Sequence, residues 1–231
     1  MEESVDFTND IASFASRFIE EHFGESPDSL HVYHKPPFTL IHLHGFLMPS
    51  EKLLLQKNNA SHVLETRDIL MQTIKTDFIE ELKKITGNET VKFYADWNLE
   101  KETGMLLAIS GQEAVSADFE WPPEVDSESV NEIIKLNSQR TQKLPDQINY
   151  FWLTDTLLVI ERHGIMIDIE KQLIANGITE ELRLAKRPLE HQIIKLFNIQ
   201  ASLKRAITDL FVDWDFEADK GYMILLMEKD S

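Results

Sequence analysis

The chain has no cysteine. That excludes disulfides, thiol catalysis and thiolate metal sites. Glycine and proline are sparse, with 8 of each in 231 residues. No P-loop, no dinucleotide-binding glycine pattern and no G-x-S-x-G nucleophile elbow occurs. Positive charge is short as well: 23 basic against 40 acidic residues leave a net charge of −17. Residues 1–118 carry 10 basic and 20 acidic side chains, and residues 119–231 carry 13 and 20, so the deficit is spread over the chain. Nucleic acid is bound by Lys and Arg that release counterions, so an evenly acidic protein is a poor partner for it, and for anionic lipid headgroups. A basic protein partner fits the charge, including the Lys- and Arg-rich cytoplasmic loops of a membrane protein. Long apolar runs are also missing. Leu157–Ile160 and Met223–Met227 are strand-sized, far below the roughly 18 residues of a membrane span. Residues 1–10 are acidic and polar, unlike a secretory signal. These absences predict a cytoplasmic protein without direct membrane insertion, in which Asn59 and Asn88 are not glycosylated.

What is present is a repeat. Ile41, His44, Gly45, Glu51, Lys52 and Leu54 recur 119 residues later as Ile160, His163, Gly164, Glu170, Lys171 and Leu173. Asp96, Trp97, Glu100 and Gly104 recur 117 residues later as Asp213, Trp214, Glu217 and Gly221. Two copies of so long a period mean a duplicated domain and not a solenoid. The apolar content of 42% suffices for one large or two modest cores.

Each copy patterns as α-β-β-α-β-β. In the first, Ile11, Phe14, Ala15, Phe18 and Ile19 lie at helical spacing, with Thr8 or Asn9 as the cap and Gly24 as the stop. Strands 30–34 and 38–45 follow, joined across Pro36-Pro37, with Leu40, His42 and His44 on one face. Pro49 opens a helix with Ser50 as cap, Asn58-Asn59 interrupts it, and a longer helix runs over 63–85. Its stripe of Leu70, Ile74 and Phe78 recurs as Leu189, Ile193 and Phe197. Strands 91–97 and 105–110 close the unit. The second copy predicts a helix over 129–135, strands 148–153 and 156–164, a main helix starting near Pro188, and a hairpin of 209–214 and 222–228. The boundaries are residues 1–117, an acidic linker 118–127 stiffened by Pro122-Pro123, and residues 128–231. The class is α+β: antiparallel sheets with helices on one face, in a pseudo-two-fold arrangement.

Chemistry-bearing residues fall into a few groups. His31, His34, His42 and His44 share one hairpin. His42 and His44, with His34 across the turn, form the weak metal candidate, the alternative being hydrogen-bonded strand residues. The alternating acids Asp213, Asp215, Glu217 and Asp219 suggest a calcium loop, but lack its Gly at position six and Glu at twelve; the alternative is a solvated hairpin turn with Gly104 and Gly221 at positive φ. Trp97 and Trp214 are either binding anchors or core aromatics closed beneath a hairpin. The recurrence of Asp96, Trp97, Asp213, Trp214, Glu51 and Glu170 marks them as the candidate interaction surface. No catalytic residue and no cofactor is expected, and the chain is read as a non-enzyme.

These residues carry a resemblance to the MpsC-like proteins. It rests on the opening helix 9–24, the strand and turn from Leu40 to Lys52, the long helix with Arg67, and the hairpin from Ala95-Asp96-Trp97-Asn98 to Glu102-Thr103-Gly104. The second copy matches more loosely. His44 and His163 stand where the family usually has an acid before the Gly, and Asp168 replaces Pro49. The resemblance implies a soluble accessory protein of a cation-translocating, membrane-potential-generating system linked to inorganic carbon supply. Its partners would be a membrane transporter or a second copy of the chain, and it would be held peripheral to the membrane through that partner. The alternative is a small-ligand or metal-sensing module built on the His-rich hairpin.

Overall fold

The computed structural model describes residues 7–111 and 119–229. The chain divides into two compact units, residues 1–114 and 115–231. Each holds its own four-stranded antiparallel sheet, and the class is α+β.

Unit 1 runs α1 (Thr8–Phe23), β1 (Ser29–Lys35), β2 (Phe38–His44), α2 (Pro49–Gln56), α3 (Ala60–Thr86), β3 (Thr90–Asn98) and β4 (Thr103–Ser110). The sheet order is β1-β2-β4-β3, which puts β2 and β4 in the middle. In that position both central strands are buried along nearly their whole length. One face of the sheet carries Ile41, Leu43, Trp97, Leu106 and Ala108, and packs against Ile11, Phe14, Phe18 of α1 and Met71, Ile74, Phe78 of α3. Phe14, Phe18 and Phe78 interlock at ring-centroid distances of 4.9 to 5.5 Å. The opposite face carries Phe38, Leu40, Tyr94 and Leu107, also buried.

Unit 2 repeats the plan: α4 (Ser127–Thr141), β5 (Gln147–Thr154), β6 (Leu157–His163), α5 (Asp168–Ala175), α6 (Glu180–Leu196), α7 (Ile199–Leu203), β7 (Arg205–Asp215) and β8 (Lys220–Lys229). Its sheet order, β5-β6-β8-β7, is that of unit 1. Its core gathers Val130 and Ile134 of α4, Ile160, Val212, Trp214, Met223 and Leu225 of the sheet, and Ile194 of α6. The segment expected as a linker is seated on this unit in its described part. Trp121 packs 4.9 Å from the Tyr150 ring, Glu124 pairs with Arg205, and the Asp126 N–H donates to the Ser202 carbonyl at 2.9 Å. Asp118 lies outside the described residues.

Several boundaries differ from the sequence expectation for physical reasons. The N-cap of α1 is Phe7, without a side-chain cap, so neither Thr8 nor Asn9 serves. The N-cap of α2 is Met48, because Glu51 three residues on satisfies its N–H in place of Ser50. Pro188 lies inside α6, which starts at Glu180. The stripe expected at Leu189, Ile193 and Phe197 does not form one buried face: Leu189 is 49% exposed, Phe197 is the half-buried C-cap, and the Ile193 side chain lies outside the described residues.

The turn after β2 is the same in both units. Gly45 has φ +61° and Gly164 φ +64°, a region that favours glycine. A Cβ on Gly45 would meet the Asp28 carboxylate, and one on Gly164 the Asp146 carboxylate. Gly45→Ala therefore meets both strain and overlap. Its expected cost is about 2–3 kcal/mol, read as a lower midpoint in urea unfolding, whereas Gly24→Ala, with open space around it, should cost only its positive-φ strain of about 1 kcal/mol. Equal losses would show that the Asp28 contact has no weight.

Candidate functional site

The recurring residues converge on one interior arrangement. A short helix follows the glycine turn, and its third residue is a glutamate: Glu51 in α2 and Glu170 in α5. The first amides of a helix have no partner within it. Glu51 Oε2 accepts the Met48 N–H at 3.0 Å, and Glu170 Oε2 accepts the Ile167 N–H at 2.9 Å. The helix N-terminus also favours the negative charge. Each carboxylate then meets a cation from the long helix. Arg67 Nε donates to Glu51 Oε1 at 2.7 Å, and Nη2 donates to Oε2 at 2.6 Å and to the Phe46 carbonyl at 3.0 Å. The Arg67 guanidinium lies 4.7 Å from the ring centres of both Phe46 and Trp97. It thus fills a corner of two aromatic faces, a favourable cation–π setting.

In unit 2 the cation is Lys186, at the position 119 residues after Arg67. Its ammonium is 2.5 Å from Glu170 Oε1 and 5.2 Å from the Trp214 ring. Lysine offers a point charge and cannot make the two-pronged contact of arginine. Gln142 supplies the missing donor, its Nε2 lying 3.3 and 3.4 Å from the two Glu170 oxygens. Gln142 stands where unit 1 has Phe23, and Ile165 where it has Phe46. Burial pulls the Lys186 ammonium below the usual lysine range, against the opposing pull of Glu170.

Unit 2 adds a second buried pair that sequence reasoning missed. Arg162 and Glu190, 0% and 1% exposed, meet at 2.9 Å. Arg162 Nη1 donates to Ser138 Oγ and Glu190 Oε2, both at 3.1 Å, and Asn137 Nδ2 donates to Glu190 Oε2 at 2.8 Å. At a constant shift of 119, these residues replace Leu43, Met71, Phe18 and Ile19, all members of the unit 1 core. Charges at positions where the first copy is apolar were the available signal.

The candidate interaction surface is corrected by burial. Glu51, Glu170, Asp96, Asp213, Trp97 and Trp214 are all buried. Asp96 Oδ1 accepts the Trp97 N–H at 2.8 Å, Asp213 Oδ1 accepts the Trp214 N–H at 2.7 Å, and Asp213 pairs with Arg183. They recur as buried residues and not as exposed ones. The acidic run at the end of β7 does not converge: Asp215 accepts the Ala218 N–H, and Asp219 accepts the Met166 N–H and pairs with Lys171 at 3.1 Å. The positive φ of the two hairpins falls on Glu102 and Asp219, not on Gly104 and Gly221, which lie in the paired strands β4 and β8.

The histidines divide by strand parity. His31 pairs with His42 across β1 and β2, and His42 and His44 lie with ring centres 4.1 Å apart on the same face. His34 is three residues from His31 and so lies on the other face, where it bonds Thr39 Oγ1 at 2.9 Å. The trio His34, His42 and His44 is therefore not assembled. Among the described residues no group of three His, Cys, Asp or Glu side chains is arranged to hold a metal ion.

On the corresponding face of unit 2, Glu161 collects donors. It accepts from Asn149 at 2.9 Å, His163 at 2.7 Å, Lys220 at 2.9 Å and Tyr222 at 2.8 Å. Burial raises its carboxyl, but these four bonds outweigh that effect and hold it at about 2.

With this geometry in place, the relationships of the chain are informative. The family model described as Na+-translocating membrane potential-generating system (MpsC) matches residues 5–112 and again 124–229. The chain belongs to the MpsC family, as a tandem duplicate of the family domain. No curated protein and no solved structure matches it. Among the described residues no helix is long and apolar enough to cross a membrane.

Two outcomes test the interior. Removing one partner of a buried pair strands the other charge, so Arg67→Ala should cost about 3–5 kcal/mol, while Arg67→Lys, the residue of the second copy, should cost less than half of that in urea unfolding. A loss as large for Lys as for Ala would refute a charge-centred role. Glu161 has a depressed pKa, so its contribution is full above its unfolded value of 4.5 and is lost as pH falls towards 2. The stability gap between the native chain and Glu161→Gln should be widest at neutral pH, of order 3 kcal/mol, and narrow over that acid window. A gap independent of pH would overturn the assignment.

Proposed function

We propose that this is a non-enzymatic accessory or regulatory protein of a membrane ion or inorganic-carbon transport system, acting in the cytoplasm through a protein partner. The observation that carries the reading is that both halves match a family described by a Na+-translocating, membrane potential-generating system. The evenly spread net charge of −17 suits a partner with basic cytoplasmic segments. The non-enzymatic reading is supported by how the ionic groups are used. Glu51, Glu170, Arg162 and Glu190 are committed to buried pairs with one another or with Arg67 and Lys186.

The test is affinity capture of the tagged full chain from detergent-solubilised native cells, followed by quantitative mass spectrometry. Specific enrichment of a polytopic transporter is expected, weakening as salt rises because charge complementarity is screened. Recovery of the chain without any membrane protein, at low salt and under every growth condition, would overturn the proposal. Substrate profiling of the same preparation should give no turnover.

A further inference from the structure

The long helices of the two units are not equivalent, and the difference lies on buried groups. α3 is one helix of 27 residues. α6 has 17 residues and carries Pro188 in its interior. Proline has no N–H for the carbonyl four residues back, here Leu184, and its ring crowds that carbonyl. Ile69 holds the matching place in α3. Before Pro188, Lys186 is held by Glu170 and Arg183 by Asp213. After it, Glu190 is held by Arg162 and Asn137. Up to Glu190 the two helices bury corresponding positions: Val63 and Leu182, Arg67 and Lys186, Met71 and Glu190. Beyond it they part, since Ile194 is buried while its counterpart Lys75 is exposed.

At Glu190 the contact that closes α6 is polar where that of α3 at Met71 is apolar, and Ile194 one turn further on is the apolar anchor of the segment. Taking a carboxylate and a guanidinium out of water costs about what their attraction returns. The network is also incompletely bonded. Asn137 Oδ1 and Arg162 Nε are buried without a hydrogen-bond partner, and such groups cost free energy. Opening this layer would return two charges and an amide to water, whereas opening the matching layer of unit 1 would expose Phe18, Ile19, Leu43 and Met71.

We propose that α6 is a hinged helix: the turns after Pro188 open locally while the rest of unit 2 stays folded, with the buried Arg162–Glu190–Asn137 network as the latch. The duplication has thus produced one unit with a continuous helix and one with a built-in opening. Hydrogen exchange by mass spectrometry on the full chain tests this. Amides of Leu189–Ile194 should be less protected than those of Met71–Phe78 by about tenfold or more, through an opening that denaturant hardly accelerates. Two variants carry unit 1 residues into unit 2: Pro188→Ile, and the set Asn137→Phe, Ser138→Ile, Arg162→Leu and Glu190→Met. Each should raise protection after position 188 by about tenfold. If the set does not fold, by circular dichroism, Pro188→Ile decides alone. Equal protection of the two helices, or no gain in Pro188→Ile, would overturn the proposal.

Discussion

A carboxylate buried at the third residue of a short helix organises each unit. Glu51 satisfies the amide that α2 leaves open at its start and neutralises the cation sent in by α3. Glu170 does the same for α5 and α6. The consequence is a helix placed by electrostatics rather than by hydrophobicity. Glu51 is the buried side chain of α2 and Glu170 that of α5. Meanwhile Leu53 and Ile169 on the same helices are 61% and 62% exposed. Water would normally strip a carboxylate from such a position. It stays because the helix end and the cation act on it together, the cation of unit 1 being held in turn by the faces of Phe46 and Trp97.

The second copy shows how such an interior changes. Arginine to lysine at position 186 alone would lose a prong of the contact and its fit over two rings. It comes with Gln142 in place of a phenylalanine, which restores a donor to Glu170. The Arg162–Glu190 pair likewise comes with Asn137 and Ser138 beside it. A single buried charge in place of Leu43 or Met71 would be among the costliest substitutions. The set is tolerable because its members bond one another, so unit 2 differs from unit 1 by compensated groups and not by scattered drift.

Much of the fold was legible, for reasons that can be named. The duplication shows because Glu51, Gly45, Asp96 and Trp97 each answer a constraint that side-chain drift cannot relax. The strands show because short apolar stretches survive in both copies, alternating in β2 and continuous in β6 and β8. The parity of His31, His42 and His44 follows from the strand period alone, and the same period places His34 on the other face. What failed was the step from recurrence to surface. Asp96 and Trp97 are both buried, and a polar residue repeated in two copies looks the same in sequence whether it binds a partner or an interior amide. Pro188 was misplaced because proline favours a first helical turn, while here the tertiary contacts of Lys186 and Glu190 carry the helix through it. The Arg162 network was hidden for a related reason: neither residue forms a motif, and only its apolar counterparts Leu43 and Met71 reveal it.

It follows that the buried residues the copies share describe a scaffold, while exposed side chains on equivalent helices differ. The exposed apolar residues differ in position between the units. Leu53 corresponds to Gln172, and Ile169 to Ser50. A partner reading an aliphatic side chain on α2 would find an amide at the matching place on α5. The two units therefore present different side chains on equivalent frames. The duplication thus repeats a frame built, in both halves, on the same buried glutamate, while its exposed helix positions diverge.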